Sequence, residues 1–207
     1  MTAHNREALR EALRGPPRDI VVIGASRGGV EALRGIVAAL PLSLQSTLLV
    51  VLHISPTPSL IPAVLSRAGP LPAEHGKNGT GIERGRIYVA PPDHHMTVGP
   101  IGFIRLDQGP KENYTRPAAD PLFRSAASIY GSRVIGIVLT GGGSDGTKGL
   151  IAIEQAGGLA IVQDPGDARD PSMPMNALLH NNPDLCLPLS EISGVIIRLS
   201  SVSQGSA

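Results

Sequence analysis

Three polar residues in this 207-residue chain stand just past the ends of short apolar runs, and together they could carry out acyl transfer. Ser26 lies in Gly24-Ala25-Ser26-Arg27-Gly28. This fits the G-x-S-x-G nucleophile elbow, whose glycines allow a sharp strand-to-helix turn that presents a serine hydroxyl at a sheet edge. His53 closes Val51-Leu52-His53, and Asp145 lies in Thr140-Gly141-Gly142-Gly143-Ser144-Asp145-Gly146. A serine hydroxyl is a weak nucleophile at its own pKa and needs a base that titrates near neutrality, which histidine supplies. A carboxylate then holds the imidazole in one tautomer and stabilises the imidazolium. The backbone N–H of Arg27 and the bare N–H groups of Gly141, Gly142 and Gly143 are candidate donors to a developing oxyanion. Each residue also has a plainer reading: Ser26 as a helix N-cap in a Gly-rich turn, His53 as a structural histidine, Asp145 as the N-cap of the next helix. The chain order Ser, His, Asp differs from that of α/β-hydrolases, but such trios are defined by geometry rather than order.

Other chemistries fit less well. A dinucleotide loop requires G-x-G-x-x-G, and Ser26 occupies its second glycine position; the next strand ends in Leu52-His53-Ile54-Ser55 rather than an acidic residue. No Gly-Lys-Ser/Thr follows, so the loop is not a phosphate-binding P-loop. Asp93-His94-His95 resembles a metal cluster, but adjacent side chains of an extended segment point to opposite faces, so no metal is expected. One cysteine, Cys186, allows neither an internal disulfide nor a thiolate zinc site and is expected to be a small buried hydrophobe. His75 and His180 have no partner visible in the sequence. Eighteen basic against seventeen acidic residues, with 2% aromatics and no Trp, give no reason to expect a nucleic-acid partner. No apolar run reaches the roughly 20 residues of a membrane span, and the first residues lack the apolar core of a secretory signal, so a cytoplasmic location without membrane insertion is expected.

The elements that must position these residues alternate. Apolar β-branched runs at 20–23, 47–54, 85–90, 134–139 and 159–162 read as strands buried on both faces. Helical periodicity marks 30–40, 60–65, 118–130, 146–155 and 173–179, with Asp120 expected as the N-cap before Pro121. Segments 96–98 and 103–106 around Gly99-Pro100-Ile101-Gly102 read as a hairpin. The expectation is a single α/β domain over 19–199, a doubly wound, mostly parallel sheet with a small antiparallel hairpin. Residues 1–18, with Arg-Glu-Ala-Leu twice, are expected to be an appendage or linker stub containing a short helix, and 200–207 a fraying tail. Ligands bind such sheets outside the carboxyl ends of the strands, which is where Ser26, His53 and Asp145 should meet. The stiff loop from Asp164 to Pro174 should border the same edge.

With these pieces assembled, the chain resembles the catalytic domain of the chemotaxis receptor methylesterases, the CheB family. The matching residues are Ile23-Gly24-Ala25-Ser26 with Gly28-Gly29, Val51-Leu52-His53, Gly85 to His94, Arg116-Pro117 with Asp120 to Ser125, Leu139-Thr140-Gly141 with Asp145-Gly146, Gln163-Asp164, and Met173-Pro174. They occur in family order over about residues 19–189. The resemblance implies hydrolysis of glutamate γ-methyl esters on receptor helices with release of methanol, and in many members deamidation of glutamines. It implies Ser26 as nucleophile, His53 as base and Asp145 as the orienting acid, with no cofactor. Methyl-accepting chemoreceptors, or related sensor helices, are the implied partners. The family's receiver domain has no counterpart in residues 1–18; a stand-alone member, or a fragment beginning in the linker, is expected, with a separate regulatory protein as a further partner. Arg27 stands where the family has a small hydroxyl residue, and Gly142 where it has a methionine. These departures leave two other readings, a non-catalytic scaffold of the same fold and an esterase acting on a different sensory partner.

Overall fold

A computed structural model describes residues 1–55 and 57–201. The first half of the chain runs α1 (Ala3–Ala12), β1 (Ile20–Ala25), α2 (Gly29–Ala38), β2 (Thr47–Leu52), α3 (Ile61–Ala68), β3 (Ala73–His75) and β4 (Ile87–Val89). A hairpin of β5 (His95–Gly99) and β6 (Phe103–Asp107) follows, and then α4 (Ala119–Tyr130) and β7 (Val134–Val138). The last part comprises α5 (Thr147–Gln155), β8 (Leu159–Gln163), α6 (Ser172–His180), β9 (Leu185–Leu187) and α7 (Leu189–Ser200). Seven strands form one parallel sheet in the order β3-β4-β2-β1-β7-β8-β9, and β5 and β6 pair antiparallel as a separate two-stranded sheet.

Every residue of β1, β2, β7 and β8 is buried, which is why each reads as an uninterrupted apolar run. Successive side chains of a strand point to opposite faces, and the core divides accordingly. Val21, Ile23, Leu48 and Val50 pack with Leu33 and Ile36 of α2 and with Val195 and Ile196 of α7. Val22, Leu49 and Val51 pack with Leu122 and Phe123 of α4, Leu150 and Ile153 of α5, and the hairpin residues Met96 and Ile104. The chain winds from β1 outward to β2, returns to β7 on the other flank of β1, and so makes its topological switch between β1 and β7. In open parallel sheets the binding crevice opens at that point, beyond the strand ends.

Several boundaries differ from the sequence reading. The Arg-Glu-Ala-Leu repeat does form a helix, but α1 is no free appendage: Leu9 is 2% exposed within the core. Burial of that leucine alone stabilises by about 1.5–3 kcal/mol. The amide of Asn5 donates to the Cys186 carbonyl (2.6 Å) and accepts from the Cys186 N–H (3.3 Å), so a side chain takes the place of a neighbouring strand along β9. Strands β3 and β9 and helix α7 were not foreseen. The expected tail begins too early, because Ser200 is buried and hydrogen-bonded to Ser46 and to the Ile196 carbonyl; residues 202–207 lie outside the described residues. Among the described residues no helix is long and apolar enough to cross a membrane.

Candidate active site

The register of the parallel sheet carries the three singled-out residues to one rim. Ala25 pairs with Leu52, and the His53 N–H donates to the Ala25 carbonyl (3.0 Å), so Ser26 and His53 leave adjacent strand ends together. On the other flank Gly24 pairs with Val138, and the Ser26 N–H donates to the Thr140 carbonyl (3.0 Å). Ser26 therefore sits at the switch point, between the β2 end and the loop that follows β7. The turn after it relies on Gly28, whose φ of 81° is left-handed; Ser26 itself has no positive φ, so the strain of a nucleophile elbow falls on the glycine instead. Gly141 is equally confined: a Cβ there would lie 2.6 Å from Ser26 Cβ and would collide with the Met173 sulfur.

His53 donates through Nε2 to Asp145 Oδ2 at 2.7 Å. That bond leaves Nδ1 as the nitrogen free to take a proton. Among the described residues Ser26 Oγ has no direct hydrogen bond to the imidazole; such bonds are commonly long before substrate arrives and tighten in the complex. Asp145 does not cap the helix after it, whose N-cap is Gly146. It caps α4 from outside, accepting the Ala119 N–H at Oδ2 (2.5 Å) and the Asp120 N–H at Oδ1 (3.1 Å). Asp120 is correspondingly not the N-cap expected from sequence; α4 begins at Ala119 with Ala118 as its N-cap, two residues earlier, and the Asp120 carboxylate is buried, accepting from the Gly149 N–H (2.7 Å).

One residue links the two carboxylates. Asn113 Nδ2 donates to Asp145 Oδ1 (2.9 Å) and to Asp120 Oδ2 (2.9 Å). Burial works to push the Asp145 carboxyl up, but the bonds from His53 and from the Ala119 and Asp120 N–H groups outweigh it and hold Asp145 below the ordinary carboxylate range. Asp120 is pushed the other way, by burial first and then by the negative charge of Asp145. Two neighbouring carboxyls with opposed shifts are a common arrangement where one must stay ionised. Replacing Asn113 by glycine keeps a residue suited to its left-handed φ of 48° and removes only the bridge. The expected result is a loss of about 1–3 kcal/mol in denaturant unfolding, because each carboxylate loses a charge-assisted hydrogen bond.

The shifts also set the acid response. At the opposite rim, Asp19 is lifted by burial and lowered by more through Arg133 (2.8 Å) and Arg84 (2.8 Å), with a net downward shift. A carboxyl depressed in the folded state contributes stability that is complete above its unfolded pKa of about 4 and is lost as pH falls through the lower folded value. Asp120, raised on folding, acts in the opposite sense between about pH 4 and its own higher value. Asp93 and Asp170 are also depressed and Glu154 is also raised, so depressed carboxyls outnumber raised ones and thermal melts should drop below about pH 4. A melting temperature that rises between pH 5 and pH 3 would contradict this balance.

The expected oxyanion donors divide. The Gly141 N–H is engaged by the Asp170 carbonyl (2.9 Å), so Gly141 contributes room rather than a donor, a correction to the sequence reading. The N–H groups of Arg27, Gly142 and Gly143 have no protein acceptor among the described residues. The loop from Asp164 to Met173 does border the site. The Asp170 N–H donates to Thr140 Oγ1 (2.9 Å), the Met173 N–H to the Gly141 carbonyl (2.7 Å), and Asp170 Oδ2 pairs with Arg27 (3.1 Å). The Arg27 side chain is otherwise 76% exposed over the rim. Gly142 has Asp170 Oδ2 nearest to where its Cβ would be, at 3.4 Å.

The segment between the hairpin and α4 supplies what the sequence did not reveal. Thr115 Oγ1 lies 3.4 Å from His53 Nε2. His53, Tyr114, Thr115, Arg116 and Lys111 line a cavity of about 320 Å³ beside the imidazole, which Ser26 does not line. The Asp93-His94-His95 run holds this segment in place. Asp93 pairs with Arg116 (2.7 Å). His95 faces the Pro110 carbonyl through Nε2 (3.0 Å) and the Ala118 N–H through Nδ1 (3.3 Å), tying both ends of the segment, while His94 faces the Pro92 carbonyl (2.9 Å). Among the described residues no group of three or more His, Cys, Asp or Glu side chains could hold a metal ion. His75 also faces carbonyls, those of Val89 (3.3 Å) and Ser59 (3.2 Å).

A doubly wound parallel sheet thus gathers a serine, a histidine and a carboxylate at its switch point. The CheB methylesterase family model matches residues 21–196, and the chain belongs to that family. It is 40% identical over 185 residues to the Caulobacter vibrioides protein-glutamate methylesterase/protein-glutamine glutaminase 2, covering 87% of this chain and 53% of that one. A Leptospira interrogans relative is 34% identical, and 94% of its length is covered. The crystal structure of the Thermotoga maritima CheB methylesterase catalytic domain superposes with a TM-score of 0.84 at 32% identity, over 88% of this chain and 98% of that one. The chain spans about half the length of the Caulobacter relative and of a Paramagnetospirillum magneticum relative.

Proposed function

We propose that this protein is a serine hydrolase that removes methyl groups from glutamate γ-methyl esters of methyl-accepting chemoreceptors, or of related sensor helices, in the cytoplasm. The observation that carries the reading is the convergence of Ser26, His53 and Asp145 on one rim, with His53 Nε2 bonded to Asp145 at 2.7 Å. In this mechanism His53 Nδ1 takes the Ser26 proton as Oγ attacks the ester carbonyl. Asp145, held ionised, stabilises the imidazolium through Nε2–H. The N–H groups of Arg27, Gly142 and Gly143 receive the oxyanion. The tetrahedral intermediate collapses with the imidazolium proton transferred to methoxide, and methanol leaves. Water, deprotonated by the same nitrogen, then attacks the acyl-enzyme; the carboxylate is released and Ser26 regains its proton. The same steps with ammonia as leaving group give glutamine deamidation, an activity printed in the names of the Caulobacter and Paramagnetospirillum relatives.

The test is methanol release from a methylated chemoreceptor preparation, with ammonia release from the amidated form measured in parallel. Catalytic release above the uncatalysed rate supports the reading. No release of either product from folded protein, together with no covalent reaction of Ser26 with a serine-directed phosphonate, would leave a scaffold of the same fold.

A further inference from the structure

The segment that buttresses Asp145 also displays a side chain with no structural task. The Glu112 N–H donates to the Thr115 carbonyl (3.2 Å) and the Thr115 N–H to the Glu112 carbonyl (2.9 Å), closing a two-residue turn. Its central residues, Asn113 and Tyr114, have φ of 48° and 64°. Positive φ at both corners defines a type I′ turn, whose second corner strongly favours glycine. Asparagine tolerates this region, whereas a tyrosine in it is strained. Burial does not offset that strain, because Tyr114 is 94% exposed. Strain held by a residue that packs against nothing points to a use outside the free fold.

Its position identifies that use. Tyr114 lines the same cavity as His53 and Thr115, beside the imidazole. Asn113, the other corner of the turn, is bonded to both Asp145 and Asp120, so the ring is displayed from a base fixed to the catalytic carboxylate. A tyrosine offers a large, flat, mostly apolar face with few rotatable bonds, which suits it to gripping a polypeptide at little entropic cost. We infer that Tyr114 is a substrate-binding residue: its ring packs against an apolar side chain flanking the esterified residue on the substrate polypeptide and holds that polypeptide over the site. This inference rests on the methylesterase reading above.

Tyr114→Gly tests it without endangering the fold, because glycine is the residue the turn prefers. The variant should melt at the same temperature as wild type or higher. With methylated receptor as substrate its KM should rise about tenfold or more with kcat changed less than twofold, the signature of lost binding common to ground and transition states. Tyr114→Phe should restore the wild-type KM, since the ring face and not the hydroxyl makes the contact. A wild-type KM in Tyr114→Gly, with wild type active, would overturn the inference and leave the methylesterase reading standing. A lower melting temperature would overturn it by showing that the ring supports the fold. Wild type inactive on the methylated receptor would overturn both.

Discussion

Ser26→Ala is expected to lower the rate of methanol release from methylated receptor by about 10⁴–10⁶-fold while leaving the unfolding transition where it was. The activity loss follows from removing the hydroxyl proposed to attack the ester. The residual rate belongs to substrate positioning and to the free N–H groups of Arg27, Gly142 and Gly143, which the substitution spares. The unchanged stability follows from the contacts of Ser26, which are made by its backbone: its N–H to Thr140 (3.0 Å) and its carbonyl to the Gly29 N–H (2.8 Å). Alanine keeps both. Steady-state kinetics and a thermal melt on the same preparation check the two halves. A Ser26→Ala protein that releases methanol at the wild-type rate would remove the nucleophile from the scheme.

Asp145 should behave differently, because its carboxylate serves the site and the fold at once. In Asp145→Asn the amide oxygen, standing where Oδ1 is, can still accept from the Asp120 N–H (3.1 Å) and Asn113 (2.9 Å), while the NH2 replaces Oδ2, the oxygen that accepts from Ala119 (2.5 Å) and His53 (2.7 Å). Its NH2 cannot accept from His53 Nε2–H, so the imidazole turns to the other tautomer and Nδ1 no longer serves as base. The expected loss is about 10⁴-fold in kcat with a small loss of stability. Asp145→Ala should lose the same activity and, in addition, about 3–5 kcal/mol, because the Ala119 and Asp120 N–H groups are left without an acceptor in a buried place and Asn113 keeps only its bond to Asp120. Urea unfolding of the two variants separates these roles. Equal stability of Asp145→Ala and wild type would mean that α4 does not depend on this cap.

The sheet's central strands were legible because burial on both faces demands an unbroken apolar run, as in Ile20-Val21-Val22-Ile23. The edge strands were not. Ala73-Glu74-His75 and Leu185-Cys186-Leu187 are three residues each, too short for any periodicity to show. Helix α7 carries a helical stripe in its sequence, Ile192, Val195, Ile196 and Leu199. That Ser26, His53 and Asp145 share one rim is legible because the first two directly follow strands, the third lies in the loop after β7, and parallel strands deliver their ends to one rim. Asn113, Thr115 and His95 were not, because their places depend on tertiary hydrogen bonds within an irregular segment that has no pattern of its own. An asparagine before a tyrosine gives no hint that two carboxylates from other elements meet on it. The tautomer of His53 was out of reach for the same reason: nothing in Val51-Leu52-His53 says which nitrogen meets Asp145.

The latch of Asn5 on Cys186 bears on how this molecule behaves in a crowd. An open parallel sheet ends in two unpaired ladders, each a template on which another molecule can add a strand. Here one ladder is the stubby β3, and along the other an amide already occupies the N–H and carbonyl that an incoming backbone would seek. The first helix thus covers the outward-facing backbone of β9, at a flank of the sheet away from the switch point.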